Sequence, residues 1–338
     1  MNERGVVTTG GALAGTLNGA GSSAQQAAMQ GWTAGFAAEQ PNVTVNYDPV
    51  GSGGGREQFL AGGVTFAGSD AALDEEELEQ AAERCGEQGV FELPNYISAI
   101  AVVFNIQGVG ELNLSPDVIA RIFDGRITRW TDPAIAADNP GAALPDLAVT
   151  PVHRSDKSGT TENFTEYLAA AGGGAWPHEP DGEWPVGGGE AASGNSGVVA
   201  AVGGGNGTIG YADVSQAGEL GVAKIRVGEE FVAPSPEGAA AVVEGSPLQE
   251  GRGKYDFAIE IERTTTDPAE YPLVLVSYHI GCLAYSSQEE VGALAEFLDY
   301  VISEQGQLAA AETAGSAPIT NALRGQAMTA IDAITVQQ

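Results

Sequence analysis

Three short segments pair glycine with hydroxyl side chains: Gly21-Ser22-Ser23, Gly51-Ser52-Gly53 and Ser158-Gly159-Thr160. Each falls where an apolar run gives way to a helical pattern. A helix N-terminus exposes unpaired N–H groups and carries about half a positive charge. Glycine lets a ligand approach the backbone, and serine or threonine adds a hydroxyl donor. Such a terminus is ready to hold an oxyanion. Any one segment could equally be a capped helix after a tight turn, but three in one chain are harder to explain that way. Arg154, just before the third, adds a cationic fork that matches two oxyanion oxygens. Asp156, two residues further on, is placed to orient it.

Asp70 stands in the polar turn of Gly68-Ser69-Asp70, where an anion site would be expected to exclude a carboxylate. Phosphate near neutral pH keeps at least one proton, and sulfate keeps none. A buried carboxylate can accept that proton, whereas sulfate would offer it only lone pairs. A site built around a ligand OH can reject the analogue lacking it by roughly 10⁴–10⁵. As a bare turn residue, Asp70 could instead cap the acidic helix expected over 74–84.

The elements that must position these residues follow from pattern. Residues 1–16 read as a tail and first strand. Met29, Trp32 and Phe36 share a helical face, which Pro41 closes. Residues 43–47 alternate as a strand, 51–55 form a glycine-rich turn, 56–60 look helical, and 64–70 read as a short strand. Strands are also expected over 97–105, 147–152, 208–211 and 272–283. Ser115-Pro116 opens a helix that Gly125 ends. Residues 171–197 read as loop, 198–202 as a short helix or strand, 213–220 as helix, 226–270 as irregular, and 289–305 as the last clear helix. Strands alternating with helices indicate an α/β fold.

Composition narrows the function. The chain has 338 residues, comfortable for two domains. Its net charge of −31, from 45 acidic and 14 basic residues, argues against a nucleic-acid partner, which needs a basic face. The acidic, lysine-poor surface suits a salty environment. No run approaches the ~18 apolar residues of a membrane helix. The N-terminus shows no charged segment followed by an apolar one, so the sequence reads as a mature or trimmed form. Cys85 and Cys282 fit either two buried thiols or the single disulfide of an exported protein, which is the expectation. They imply no metal site, and His153, His178 and His279 share no metal-binding spacing. No cofactor motif is present: G-x-x-x-x-G-K-[ST] and G-x-S-x-G are both absent. The run Asp156-Lys157-Ser158-Gly159-Thr160-Thr161 is similar to the motif of aspartyl-phosphate enzymes, with Asp156 as nucleophile, but no downstream magnesium motif accompanies it.

Taken in order, these residues resemble the phosphate-binding proteins of ABC importers, within the type II periplasmic binding fold. The resemblance covers residues 17–323. It rests on Gly-Ala-Gly-Ser-Ser at 19–23, Gly-Ser-Gly-Gly-Gly at 51–55, Gly-Ser-Asp at 68–70 and Arg-Ser-Asp-Lys-Ser-Gly-Thr-Thr at 154–161. The stretches 119–135, 194–198 and 207–211 agree with it. It implies two α/β domains, each a mixed sheet flanked by helices: residues 1–95 plus 278–338, and residues 96–277, with the ligand cleft between. Ser23, the backbone of Ala24, and Ser52 would donate to phosphate, and Asp70 would accept its proton. Arg154, Ser158, Gly159 and Thr160 would bind from the other domain, with Asp156 holding Arg154. Many relatives have an aromatic residue in place of Ala24, a change a backbone contact survives. Cys85 and Cys282 would both lie in or near the first domain, where a disulfide is geometrically reasonable. The resemblance also implies a non-enzymatic, monomeric, extracytoplasmic receptor, lipid-anchored in its native form, that delivers inorganic phosphate to an ABC permease. Receptors for sulfate, molybdate or phosphonate, and a family member turned sensor or adhesin, are the rival readings.

Long-range repulsion from so acidic a chain should slow the arrival of an anion, and salt screens it beyond about 8–10 Å. The association rate of phosphate, followed by stopped-flow fluorescence, is therefore expected to rise with ionic strength. A steep fall would mean that the cleft mouth is locally basic.

Overall fold

The computed structural model describes residues 13–337, and the tail expected at 1–16 lies mostly outside them. In chain order the elements begin β1 (Gly15–Gly21), α1 (Gln26–Glu39), β2 (Val43–Asp48), α2 (Ser52–Leu60), β3 (Phe66–Ser69) and α3 (Glu75–Cys85). They continue with β4 (Val90–Asn105), β5 (Asn113–Leu114), α4 (Pro116–Phe123), α5 (Pro133–Asp138), β6 (Thr150–Arg154) and α6 (Gly159–Ala171). Next come β7 (Glu190–Ala192), α7 (Gly194–Gly204), β8 (Thr208–Asp213), β9 (Gly221–Val222), β10 (Lys224–Val227), β11 (Glu230–Val232) and α8 (Pro236–Gly245). The chain closes with β12 (Val274–Cys282), β13 (Ala284–Tyr285), α9 (Gln288–Ile302), α10 (Glu304–Ala314), α11 (Asn321–Ile331) and β14 (Thr335–Val336).

The main sheet runs β2-β1-β3-β12-β4-β8-β6-β7, with β9 against β4. β1 pairs in parallel with β2 and β3, and β6 with β7 and β8. β4 joins the two halves: Val90–Ala99 pair antiparallel with β12, and Ile100–Asn105 pair antiparallel with β8. Its side chains are buried along nearly its whole length, as a strand covered on both faces requires. The register of β12 on β4 shifts between Ser277 and Tyr278, where Asn95 is skipped. Among the described residues no helix is long and apolar enough to cross a membrane.

Several expectations need correction. β1 extends through Gly21, so the first glycines belong to the strand. α2 starts at Ser52 and takes in the glycines expected as a turn. β4 begins at Val90, and β6 covers Thr150–Arg154. Residues 171–197 contain β7 and the start of α7, and 198–202 are helical. The helix expected at 213–220 is the end of β8 and one tight turn at Val214–Gln216, held by Asp213, whose carboxylate accepts from Ser215 N–H at 2.9 Å. Residues 226–270 hold β11 and α8, with Ser235 as the side-chain cap of α8 and Pro236 at its first position. The helix expected to be the last, at 289–305, breaks at Ser303, which closes α9 and caps α10, and α11 follows. Ser115 precedes Pro116 as expected, but its hydroxyl bonds Asp138 at 2.7 Å instead of capping.

Cys85, the last residue of α3, and Cys282, the last of β12, form a disulfide with Cα atoms 5.2 Å apart and a sequence separation of 197. It ties an early helix to a late strand. α2 carries three consecutive glycines, each a poor helix former. Packing accounts for Gly55: a Cβ there would lie 2.3 Å from Gly21 Cα and 2.5 Å from Ala20 O. The helix thus lies directly on β1.

Replacing both cysteines by serine is expected to remove about 2–5 kcal/mol of stability in urea unfolding; an unchanged midpoint would show that packing alone holds α3. Gly55→Ala is expected to cost about 1–3 kcal/mol or more. Gly54→Ala, whose Cβ would meet only the Val50 side chain at 3.2 Å, should cost little. Equal losses at both positions would remove the close-packing explanation.

Candidate functional site

The ends of parallel strands bring the three glycine–hydroxyl segments together. β1 leads into Ser22-Ser23 and α1, β2 into Ser52 and α2, and β6 into Ser158 and α6. β3 ends beside them at Asp70. Ligands in open α/β sheets bind at these carboxyl ends. Ser23, Ala24, Ser52, Asp70, Arg154, Ser158, Gly159 and Thr160 are all buried, Asp70 being 4% and Arg154 2% exposed. The approach is close: a Cβ on Gly159 would lie 2.6 Å from Ser52 Oγ and 2.7 Å from Asp70 Cβ. Only glycine lets the N-terminus of α6 meet α2 and β3 at this distance.

Most of the hydroxyls are held in one polarity. Ser23 Oγ accepts both the backbone N–H of Asn195, at 3.1 Å, and its side-chain amide, at 3.0 Å. Ser52 Oγ accepts from Asp70 N–H at 3.1 Å, and Ser158 Oγ from Thr161 N–H at 3.1 Å. Thr160 Oγ1 accepts from Asn195 Nδ2 at 3.2 Å and donates to Asp70 Oδ2 at 3.4 Å. With lone pairs engaged, each hydroxyl has a proton to give. The Asn195 amide is oriented by Asp213, whose backbone N–H donates to Asn195 Oδ1 at 2.8 Å. Ala24 N–H, expected to face the ligand, donates to Ser22 Oγ at 3.0 Å.

Arg154 is gripped by Asp156. Nε donates to Oδ1 at 2.8 Å and Nη2 to Oδ2. Gly194 N–H also donates to Asp156 Oδ1, at 3.1 Å. Burial alone would push the Asp156 carboxyl up, but the hydrogen bonds and charge of Arg154, with Gly194, hold it below the usual range. The remaining nitrogen, Arg154 Nη1, is buried without a partner in the protein. A buried guanidinium N–H without an acceptor is costly, so this atom is suited to an anion.

Asp70 is the acceptor of the group. Its Oδ1 accepts from Ser277 at 2.8 Å, and Asn163 Nδ2 holds its backbone carbonyl at 2.7 Å. Arg263 fixes Asn163 by donating to its Oδ1 at 2.5 Å. Burial pushes the Asp70 carboxyl up, while Ser22, Ser277, Arg154 and Ser52 pull against that rise. Beside Asp70 lies a 550 Å³ cavity whose wall includes Asp74, Glu75, Glu162, Glu166 and Glu250. Arg252 in the same wall offsets only part of that charge, so the wall disfavours an anion there.

Sequence reasoning missed Asn195, Asn163, Ser277, Ser22 and Gln216, which donates to Ser23 O at 2.6 Å. Asn195 sits in the noted Gly-Asn-Ser-Gly-Val run, so a signal existed. Ser22 lies in the first glycine–hydroxyl segment and accepts from Ala24 N–H, whereas Asn163, Ser277 and Gln216 carry no local pattern and act through contacts distant in sequence. The histidines are dispersed: His153 stacks on Trp184, His178 bonds Asp124, and His279 is buried. Among the described residues no cluster could hold a metal ion.

Known proteins resemble this chain over most of its length. The PBP superfamily domain matches residues 6–305. The chain is 35% identical over 327 residues to phosphate-binding protein PstS2 of Mycobacterium bovis, covering 94% of this chain and 87% of that one. It is 36% identical over 325 residues to phosphate-binding protein PstS 3 of Mycobacterium leprae, with the same coverage. Among solved structures, the high-affinity periplasmic phosphate-binding protein PfluDING, determined with phosphate bound, superimposes with a TM-score of 0.78 at 22% identity, covering 93% of each chain. The phosphate-binding protein of Stenotrophomonas maltophilia gives 0.71 at 19% identity, covering 94% of each. These two likenesses establish the mixed α/β, type II binding-protein fold. By its match to the superfamily domain and its identity to the mycobacterial proteins over nearly their whole length, the chain belongs to the PstS family of phosphate-binding proteins.

Proposed function

We propose that this protein is an extracytoplasmic receptor that binds inorganic phosphate and delivers it to an ABC permease, without catalysing a reaction. The observation that carries this reading is the polarity of the cradle. Ser23, Ser52, Ser158 and Thr160 have protons to give, Arg154 has a free buried N–H, and Asp70 alone among them offers acceptor oxygens. That set complements a tetrahedral anion that still carries a proton. Ser23, Ser52, Ser158, Thr160, Arg154 and the backbone at Gly159 would surround the phosphate oxygens, Ala24 N–H being engaged by Ser22 Oγ, and Asp70 would take the phosphate O–H. The names of the relatives support the same ligand.

The division into residues 1–95 plus 278–338 and residues 96–277 is part of the proposal. The exchange of partners along β4 and the register shift at Ser277 and Tyr278 support a hinge there. Closure of the two parts would bury the ligand. The wider setting proposed is a monomer, lipid-anchored at the outer face of the cell membrane in its native form. Asp156 is better suited to hold Arg154 than to act as a nucleophile, because both its oxygens are engaged by that side chain.

Calorimetric titration of phosphate-stripped protein tests the reading. Wild type should bind phosphate one-to-one and ignore sulfate. Asp70→Asn should weaken phosphate and admit sulfate, because an amide can donate where the carboxylate repels. Arg154→Lys should weaken phosphate roughly 10- to 100-fold, as a point charge replaces a charge-assisted fork. Well-folded wild type that binds sulfate or molybdate but not phosphate would transfer the assignment to that oxyanion. Retained label from a phosphoryl donor with magnesium would restore the enzyme reading of Asp156.

A further inference from the structure

Behind the cradle, a chain of buried polar groups runs away from Asp70 into the core. Ser277 Oγ lies 2.8 Å from Asp70 Oδ1, and Gln25 Nε2 lies 2.6 Å from Ser277 Oγ. Gln25 Oε1 lies 3.1 Å from His279 Nε2. Ser277 and His279 are two residues apart on β12 and so share a face, and Gln25, just before α1, bridges them. Gln25, Ser277 and His279 are each fully buried. The His279 ring packs against Phe66, Trp32 and Phe297 at centroid distances of 5.0, 5.7 and 6.0 Å, and its Nδ1 has no partner.

We propose that His279, Gln25 and Ser277 form a one-way hydrogen-bond relay that holds Asp70 as a proton acceptor, so that anion selectivity is set partly by residues that never touch the anion. This rests on the reading of the cradle as a phosphate site.

The direction follows from where protons can sit. Burial pushes the His279 pKa down to about 3, so the ring is neutral and carries one N–H. Nδ1 has no acceptor, and a buried N–H without one is rarer and costlier than a bare lone pair. The proton therefore belongs on Nε2, where it donates to Gln25 Oε1. The Gln25 amide must then present its NH₂ to Ser277, and Ser277, accepting from Gln25, must give its own proton to Asp70 Oδ1. Oδ2, on the Thr160 side, remains to accept from the ligand. For Oδ1 to carry a proton toward Ser277, either every bond in the chain would have to reverse, ending with an N–H on Nδ1 and no acceptor for it, or Ser277 would accept from both Asp70 and Gln25 and lose the acceptor for its own buried proton.

Other groups act on Asp70 as well. Arg154 from the end of β6 favours the carboxylate. Asp213 at the end of β8 opposes it when ionised. Tyr47 of β2, its ionisation pushed well up by burial and by the Asp70 charge, stays neutral and donates to Ser22 O at 2.9 Å. The hydroxyls of Ser22 and Ser52 add hydrogen bonds. Against burial, the Ser277 bond is one of the few contributions that keep Asp70 ionised.

Two measurements on Ser277→Ala, Gln25→Met and Ser277→Thr test this. The first is a ¹³C carboxyl NMR titration of anion-free protein, with the Asp70 signal identified by its absence in Asp70→Asn. The second is calorimetry with inorganic phosphate and sulfate at pH 5 and pH 8. Ser277→Ala should raise the Asp70 midpoint by about one unit or more. Asp70 would then be protonated at lower pH and could donate, so sulfate should bind roughly tenfold more tightly at pH 5 than at pH 8. Wild type should reject sulfate at both. Gln25→Met should shift the midpoint in the same direction by less, and covers the case in which Ser277→Ala fails to fold. Ser277→Thr, which keeps the hydroxyl, should behave as wild type. Asp70 midpoints in Ser277→Ala and Gln25→Met within a few tenths of wild type would overturn the relay. A shifted midpoint without sulfate binding at pH 5 would overturn its role in selectivity. A shifted midpoint in a protein whose wild type binds no phosphate would leave the relay standing and remove the receptor reading.

Discussion

A buried hydroxyl whose lone pairs are already engaged by N–H groups can only give its proton away, and the cleft is organised around that constraint. Asn195 imposes it on Ser23 and Thr160, the Asp70 backbone on Ser52, and the first turn of α6 on Ser158. None of these bonds reads a ligand directly. They remove the freedom of each hydroxyl to turn and act as an acceptor. A site assembled this way favours anions before any net charge is counted, and its fixed dipoles need little reorganisation when the ligand arrives.

Charge then acts locally against an unfavourable global field. The chain carries −31, yet Arg154 is buried in the cleft with two of its nitrogens on Asp156 and the third unpartnered. Pairing with Asp156 keeps the guanidinium from being an isolated buried charge, which would be far costlier. Surface acids are screened beyond about 8–10 Å, while Arg154 and the helix termini work at contact range. In the proposed reading the single carboxylate in the cradle would supply discrimination, and its state would depend on the neighbours of Asp70 as much as on Asp70 itself.

The sheet gives these groups a common frame. β1, β2 and β3 end side by side, and β6 presents Arg154 from the far half. β4 pairs with β12 along its first part and with β8 along its second, and β12 runs beside it with Ser277 and His279 on one face. The same strand pair therefore joins the halves of the fold and carries the polar chain behind Asp70. Close packing at Gly55 and Gly159 brings the helices near enough for their N-termini to share one small volume.

By itself the sequence determined the parts that are local: glycine–hydroxyl turns before helices, alternating strands, the Arg154–Asp156 pair and the α/β alternation. These depend on neighbours in the chain, so the order of residues carries them. It misjudged residues 226–270, where α8 begins at a Ser-Pro cap inside an acidic stretch, and 171–197, where helix α7 starts among glycines that local propensity assigns to loop. The tertiary structure alone decided which lone pair faces which donor. Asn195 reaches Ser23 across 172 residues, and Ser277 reaches Asp70 across 207. No spacing rule links positions so far apart. They meet because strand register sets them side by side, and because a buried polar atom must find its partner wherever the fold brings one within reach.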